Sequence, residues 1–368
     1  MSKTDFLYRK VYDGILMVIQ QQHLLPGQKL PCAASLMEEY GVSRITVDKA
    51  LALLVQEGYL KRVPGQGSFV EDKTSAPVPS KPNGLKVIGV VLEHVSTPFG
   101  LDMMYRLELS AAENGYRTLV RFSLGDRKKE TEEIEFLLSL GIEGLIIMPC
   151  HGKHYNPSLL KLYLEGFPVV MVDKNMQGIK LPSVRTDNAA AVRLMVETLA
   201  KQGSRCIALL TSDDANAVSV RERRRGFIDG IDAAGVTEAG IFPLPLKNTR
   251  EELLSSDPPA EVVEDIRRSL EICGSEADAV ICAEYSILPP LLRVLEENCI
   301  MPDRDLRIAV VDEDYLAPEG YRFLHVKQDE AAIAGKAVEL LMMRIQKKTV
   351  NKEDFLIPAV LKLQKSRR

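Results

Sequence analysis

Four basic side chains near the start of the chain have the charge and the spacing to contact phosphate groups. Arg44 and Lys49 fall on a predicted helix, and Lys61 and Arg62 fall on a predicted strand that follows it. Such side chains pair with the phosphates of duplex DNA and displace its condensed counterions. Residues 1–71 carry 8 Lys/Arg against 7 Asp/Glu, although the whole chain has a net charge of -4. Only this front part is therefore suited electrostatically to nucleic acid.

The elements that would hold these basic residues follow from local patterns. A short helix over 34–39 ends at Gly41, and Ser43 is an N-cap for a second helix. The apolar residues of this second helix recur at the spacing of one buried face: Val47, Ala50, Leu51 and Leu54. A strand over 59–63, a glycine turn over 64–67 and a strand over 68–70 predict a hairpin. Together they predict a winged helix-turn-helix, mainly α with a β-hairpin wing, whose second helix enters the major groove.

The same region resembles the DNA-binding domain of the GntR family from Tyr8 through the wing. The matching elements are Leu25-Pro26-Gly27, Leu30-Pro31, Gly41-Val42-Ser43-Arg44, Thr46-Val47, Glu57-Gly58 and Gly65-Gln66-Gly67-Ser68-Phe69-Val70. Cys32, Ala34 and Asp48 depart from the family pattern, which usually has Ser, Arg and a basic residue at these positions. The resemblance implies contact with double-stranded operator DNA. The candidate DNA-binding residues are Ser43, Arg44, Thr46, Lys49, Arg62, Gly65, Gln66 and Gly67.

The rest of the chain is predicted to form a separate α/β domain. Residues 72–85 are rich in Pro and Ser and predict a linker between a domain over 1–71 and a domain over 86–368. Beyond the linker, buried strands alternate with helices through two similar halves, which indicates two doubly wound lobes. We expect the chain to finish with a long helix over 330–347 and one last strand near 355–361.

Polar residues follow the predicted strands of both halves, where ligands bind in open α/β sheets. Asp173 follows a strand over 168–172, and Glu284 comes soon after a strand over 279–282. Their carboxylates would accept hydrogen bonds from hydroxyls, and Phe99 could stack on the apolar face of a sugar. An arginine such as Arg221 offers a planar fork of donors. The chemistry favours a sugar or a sugar acid as ligand.

This second part resembles the LacI-type, periplasmic-binding-protein-like sensor domain over essentially all of Lys86–Arg368. The motifs that carry the resemblance are Phe167–Asp173, Val184–Asn188, Arg221 five residues before Gly226-Phe227, Ala279–Ala283, Val310–Asp314 and Val326–Asp329. By position, the resemblance implies that Arg221 clamps the ligand and that Asp314 binds it. Glu284-Tyr285 and Asp312 depart from the family pattern, the latter standing for a usual glycine. The candidate effector-binding residues are Ser96, Phe99, Arg121, Asp173, Arg221, Glu284 and Asp314.

If residues 221–225 are helical, their side chains point in several directions. We expect Arg223, Arg224 and Arg225 to be solvated and Arg221, at the helix start, to face the ligand cleft.

Other combinations of residues indicate no metal and no cofactor. Cys150, His151 and His154 come from a single short loop, which supplies too few ligands for a metal site. The Gly65-Gln66-Gly67 turn is too short for a phosphate loop. The 6 cysteines are scattered, and we find neither an N-terminal signal segment nor an apolar run near the length of a membrane span. This indicates reduced thiols in the cytoplasm and no membrane partner.

We therefore expect a ligand-responsive transcriptional regulator that is not an enzyme. It would be a homodimer that represses genes of carbohydrate utilisation, with its DNA affinity set by a small effector. Two alternatives stay open: a DNA-binding scaffold whose sensor has lost its ligand, and an enzyme fused to a DNA-binding domain. The enzyme would need a cofactor lysine or a glycine-rich phosphate loop, and neither appears in the sequence.

Overall fold

The computed structural model describes residues 11–12, 14–19, 27–56, 59–63, 67–70, 85–96, 98–150, 156–176, 178–246, 257–274, 276–312, 323–350 and 352–363. The chain forms two compact units, Met1–Asn83 and Gly84–Arg368. The predicted linker over 72–85 lies outside the described residues except for Leu85. Among the described residues, no helix combines the length and the apolar character needed to cross a membrane.

The first unit is a winged helix-turn-helix, as predicted. Its described elements are α1 (Ala33–Tyr40), α2 (Arg44–Gln56), β1 (Leu60–Val63) and β2 (Gly67–Val70), and the two strands pair antiparallel. Gly41 ends α1 with a φ of 63°, a left-handed conformation that glycine adopts without strain. The core of the unit is apolar and includes Leu36, Val47 and Leu54. The recognition helix α2 is therefore fixed by its buried face, which leaves the opposite face exposed.

The second unit begins with a lobe built on a six-stranded parallel sheet. The strands of this N-lobe are β3 (Lys86–Leu92), β4 (Tyr116–Phe122), β5 (Leu145–Ile147), β6 (Val169–Val172), β7 (Ser183–Thr186) and β13 (Asp354–Ile357). Its helices are α3 (Leu101–Glu113), α4 (Arg127–Ser139), α5 (Pro157–Leu164) and α10 (Glu330–Ile345). The strand order is β13-β7-β6-β5-β3-β4, so β4 is an edge strand. Apolar clusters that include residues of the sheet and of these helices form the core of the lobe.

The second lobe repeats this architecture. The strands of this C-lobe are β8 (Cys206–Ser212), β9 (Thr237–Leu244), β10 (Ala279–Cys282), β11 (Arg307–Val311), β12 (Leu324–Lys327) and β14 (Val360–Leu363), in the order β14-β12-β11-β10-β8-β9. Its described helices are α6 (Asn188–Lys201), α7 (Val218–Ala234), α8 (Ala260–Cys273) and α9 (Leu288–Glu297). The strands are parallel except for β14, which pairs antiparallel with β12. The prediction of two α/β lobes is confirmed.

The end of the chain differs from the prediction. We expected a single strand near 355–361, but the structure has two short strands, β13 and β14, which belong to different lobes. Pro358 lies between them and has no N–H to donate to a ladder, so the strand breaks there. The segment thus becomes a connection between the lobes.

Three such connections meet at the carboxyl ends of strands from both sheets. They run through Asp187, through Gln328-Asp329 and through Pro358-Ala359. The N–H of Asp187 donates to the carbonyl oxygen of Ile357 at 2.9 Å, which joins the first connection to the third. The hydroxyl of Thr186 donates to Oε1 of Gln328 at 2.6 Å, which joins the first to the second. Residues near these connections are placed where a ligand between the lobes would lie.

Candidate functional site

The start of the recognition helix is capped as predicted. The Oγ atom of Ser43 accepts a hydrogen bond from the N–H of Thr46 at 3.4 Å and lies 2.9 Å from the Thr46 hydroxyl. Thr46 is buried, so its side chain completes the cap beside the exposed helix face. Arg44, Ile45 and Lys49 are exposed on that face.

The exposed face of α2 contacts the wing. The Arg62 side chain of β1 donates to Oδ1 of Asp48 at 2.8 Å, and Arg44 Nε lies 3.7 Å from Oδ2 of the same carboxylate. Gly67, the first residue of β2, has a φ of 118°, which only glycine adopts readily. Gly65 and Gln66 lie outside the described residues. The structure therefore brings Arg44 and Arg62 of the predicted DNA-binding set together, through Asp48.

In the N-lobe, charged residues gather after β3 and β6. Glu93 and Lys174 form an ion pair whose side chains are 15% and 11% exposed. Asp173, beside Lys174, has a φ of 63°, so the chain turns sharply as it leaves β6. Burial lowers the pKa of neighbouring His94. This corner of the lobe offers a carboxylate, an ammonium group and an imidazole close to one another.

Three other predicted N-lobe residues have their contacts within the lobe. The Ser96 N–H donates to the Phe99 carbonyl at 2.9 Å, and Phe99 packs against the apolar core. Arg121 makes two hydrogen bonds to Glu133 of α4, at 2.5 and 3.1 Å, and lies over the Phe136 ring. The structure therefore ties the guanidinium of Arg121 to α4 and does not bring it to the Glu93 and Lys174 pair.

In the C-lobe, the expectation that Arg223 is solvated is wrong. Arg223 is 7% exposed, and its guanidinium donates to Oδ1 of Asn188 at 2.8 Å and to the carbonyl oxygen of Ala283 at 2.7 Å. Asn188 begins α6, and Ala283 directly follows β10. Arg223 therefore lies at the strand ends that border the lobe connections.

Arg221 lies on the other side of α7. It is exposed and donates to the carbonyl oxygens of Ala215 and Asn216 at 2.9 and 3.0 Å. Helical phase explains the difference, because Arg223 shares its face with Gly226 and Gly230. A Cβ at Gly226 would overlap the Ala189 carbonyl of α6, so this face packs closely against a neighbouring helix. We chose Arg221 from the sequence, although the helical spacing of Arg223 to the two glycines could have identified Arg223.

Asp312 completes a buried polar group next to Arg223. It follows β11 with a φ of 74°, which explains why a glycine is usual there. Nε2 of Gln328 donates to both of its carboxylate oxygens, at 2.9 and 3.2 Å. Burial raises the pKa of Asp312 to about 7, and the charge of Arg223 opposes this rise. Glu284, half-buried, follows Ala283, whereas Asp314 lies outside the described residues.

One ion cluster crosses between the lobes. Arg185 of β7 donates through Nε and Nη2 to Asp354 of β13 at 2.9 and 2.6 Å, within the N-lobe. Its Nη1 donates to Oε2 of Glu222 at 2.5 Å, and Glu222 belongs to α7 of the C-lobe. The Arg185 side chain is only 6% exposed. Glu222 precedes Arg223, so of two adjacent residues of α7 one contacts the N-lobe and the other contacts the C-lobe.

The loop of Cys150, His151 and His154, where we predicted no metal site, is described only in part. His151 and His154 lie outside the described residues. Burial raises the pKa of the Cys150 thiol to about 12, and this thiol donates to Ser123 Oγ at 3.3 Å. Within the part of the chain that the structure describes, His, Cys, Asp and Glu form no group of three suited to a metal ion.

Comparison with known proteins identifies both units. Residues 7–70 match the family of bacterial regulatory proteins named gntR. Residues 85–255 match the periplasmic binding proteins and sugar binding domain of the LacI family, and residues 196–366 match a periplasmic binding protein-like domain. The chain combines a GntR-type DNA-binding domain with a LacI-type sensor domain. The buried polar residues around Arg223 lie in the part of the chain that matches the periplasmic binding protein models.

One relative matches the chain over nearly its whole length, and solved structures match its sensor fold. The arabinose metabolism transcriptional repressor of Geobacillus stearothermophilus is 26% identical over 357 residues, which cover 95% of this chain and 94% of that protein. A LacI transcriptional regulator from Alkaliphilus metalliredigens QYMF, solved with D-xylulofuranose, is 20% identical with a TM-score of 0.60, covering 75% of this chain and 97% of that one. The Cra regulator of Pseudomonas putida, solved with fructose 1-phosphate, is 19% identical with a TM-score of 0.62 and covers 76% and 99%.

Proposed function

We propose that this protein is a transcriptional repressor of carbohydrate utilisation whose operator affinity is set by a small sugar bound between the two lobes of the sensor domain. The observation that carries the proposal is the placement of Arg223. Its guanidinium is buried at the ends of the C-lobe strands, beside the connections that a ligand between the lobes would touch. The names of the relatives, which include repressors of arabinose metabolism and of a sucrose operon, support a sugar as the effector.

The charges of the site favour a neutral sugar over a sugar acid. Among the described residues that surround the site, Lys174 is paired with Glu93, and Arg223 lies near the carboxyl group of Asp312. A carboxylate on the ligand would have to compete with Glu93 for Lys174, and near Arg223 it would lie beside the carboxyl group of Asp312. A sugar hydroxyl can instead accept from the arginine and donate to a carboxylate, so it satisfies both partners.

Single substitutions at two arginines test this proposal. The full-length protein would be titrated with L-arabinose, D-xylose, sucrose and gluconate while its thermal unfolding is followed. A bound ligand at about 100 times its Kd adds ~2.7 kcal/mol of stability. We expect Arg223→Lys to lose at least tenfold in affinity and Arg221→Ala, the matched control, to bind as the wild type does. The opposite pattern would show that Arg221 is the clamping residue, and no shift with any sugar would favour the scaffold alternative.

We also propose that the regulator acts in the cytoplasm as a homodimer on double-stranded operator DNA. Leu101, Tyr105 and Leu109 are 45%, 61% and 39% exposed at a spacing of four residues, so they form an apolar stripe along α3. The stripe lies in the same lobe as the edge strand β4. An apolar stripe of this kind marks an association surface on a protein, and paired subunits would place two recognition helices on adjacent half-sites.

A further inference from the structure

Asp48 occupies a position on the recognition helix that is unusual for a DNA-binding surface. It lies one turn after Arg44 on the exposed face of α2, and it also reaches Arg62 on β1 of the wing. The side chains of Arg44, Arg62 and Asp48 are 76%, 54% and 36% exposed. A single carboxylate therefore sits between two arginines on a surface that must approach phosphates.

The two oxygens of the Asp48 carboxylate have different partners. Oδ1 accepts a charge-assisted hydrogen bond from Arg62 at 2.8 Å, which fixes the wing strand against the recognition helix. Oδ2 is 3.7 Å from Arg44 Nε, which is beyond hydrogen-bond distance. Oδ2 is thus electrostatically close to Arg44 while it keeps the capacity to accept another donor.

We infer that Asp48 is a specificity-determining residue for DNA binding: its charge weakens binding to arbitrary sequences, and its Oδ2 accepts a hydrogen bond from the exocyclic amine of a cytosine. Binding to arbitrary DNA depends on phosphate contacts. A phosphate must compete with Asp48 for Arg62 and Arg44, so Asp48 reduces this contribution. In the major groove, a carboxylate accepts from N4 of cytosine, which no other base pair presents at the same place.

The inference does not depend on the effector. It concerns the DNA-binding domain, so loss of sugar binding in the sensor domain would leave it unchanged. Conversely, a failure of the inference would leave the proposed sugar site intact.

Two substitutions separate the charge of Asp48 from its hydrogen-bonding role. Asp48→Asn removes the charge and offers an amide, which prefers adenine because it can bond to N6 and N7 together. Asp48→Ala removes the charge and offers no partner to any base. Glu39→Gln is the matched control, because Glu39 is an exposed carboxylate on α1 whose loss changes the net charge equally.

The experiment uses the full-length protein and two duplexes of equal length. One is selected by the wild-type protein from a random library, and the other is its scrambled sequence. Without the charge of Asp48, an arginine becomes available for one more phosphate contact. This contact should tighten binding of the scrambled duplex roughly tenfold at about 50 mM salt. It should also make the slope of log K against log salt concentration steeper by about 0.9. We expect this result for Asp48→Asn and for Asp48→Ala, and no such change for Glu39→Gln.

Selection is then repeated with the variants to identify the base. We expect one cytosine in each half-site of the wild-type sequence to become adenine with Asp48→Asn and to lose its preference with Asp48→Ala. The charge effect is refuted if both variants bind the scrambled duplex as Glu39→Gln does. The base contact is refuted if the selected sequence is the same for all variants.

Discussion

Replacement of Asp312 by asparagine should change how the stability of the sensor domain depends on pH. Asp312 is buried at the end of β11, and burial raises its pKa to about 7 despite the nearby charge of Arg223 and the donors of Gln328. An aspartate in an unfolded chain titrates near 3.9. Asparagine has no titration, and its side chain tolerates the left-handed backbone of this position, where φ is 74°.

The sign of the effect follows from which state holds the proton. Because the folded pKa is raised, the folded chain keeps a proton that the unfolded chain has already lost. The stabilising contribution of protonated Asp312 is complete below the unfolded pKa and disappears as the pH rises through the folded pKa. Integrated between about pH 5 and about pH 7, the wild type should lose ~2 kcal/mol of unfolding free energy relative to Asp312→Asn.

The measurement is urea unfolding of the full-length proteins at a series of pH values. The chain has 0 tryptophan residues, so circular dichroism is the suitable signal. Besides burial, the charge of Glu330 raises the pKa of Asp312, so only groups that do not interact with Asp312 contribute equally to both proteins and cancel in the difference. Asp173→Asn is the matched control, since Asp173 also follows a strand with positive φ but is less buried. A difference that stays flat with pH would refute an uncharged, buried Asp312 near neutrality.

Two further substitutions test the surfaces around the sensor domain. Glu222→Gln removes the only described carboxylate that Arg185 contacts across the lobes, while Asp354 keeps its two hydrogen bonds to that arginine. A charge-assisted hydrogen bond is worth about 1.5–3 kcal/mol, so we expect sugar affinity to fall about tenfold and the radius of gyration to rise. An unchanged scattering curve would contradict this coupling. Tyr105→Asp should convert the proposed dimer to a monomer in sedimentation experiments, whereas Leu164→Asp on α5, where Leu164 is 81% exposed, should not. A dimeric Tyr105→Asp protein would place the interface elsewhere.

Local patterns were sufficient to predict the DNA-binding domain. Gly41 and Ser43 mark the turn between the helices, and the apolar spacing of Val47 and Leu54 sets the buried face of the second helix. Each of these signals determines structure only within a few residues of its own position. The same was true of the lobes, whose continuous apolar strands alternate with helices over short distances.

The details that were missed depend on contacts between distant parts of the chain. Asp48 and Arg62 are 14 residues apart, and their pairing requires the wing to fold back on the recognition helix. The two strands on either side of Pro358 pair with different sheets, which no local propensity indicates. For Arg223, the helix was predicted correctly, but its burial depends on the packing of α7 against α6.

The arrangement of Glu222 and Arg223 gives a physical route from the site to the rest of the sensor domain. The two residues are neighbours on one helix, yet Glu222 bonds to Arg185 of the N-lobe while Arg223 bonds to Asn188 and to the end of β10 in the C-lobe. The close contact at Gly226 holds α7 against α6, so the helix moves as a rigid body with its neighbour. A ligand can shift the equilibrium between lobe arrangements only by the difference in its affinity for them. A sugar that binds best with Arg223 in its present place therefore favours the arrangement in which Glu222 contacts Arg185, and loss of this contact weakens sugar binding.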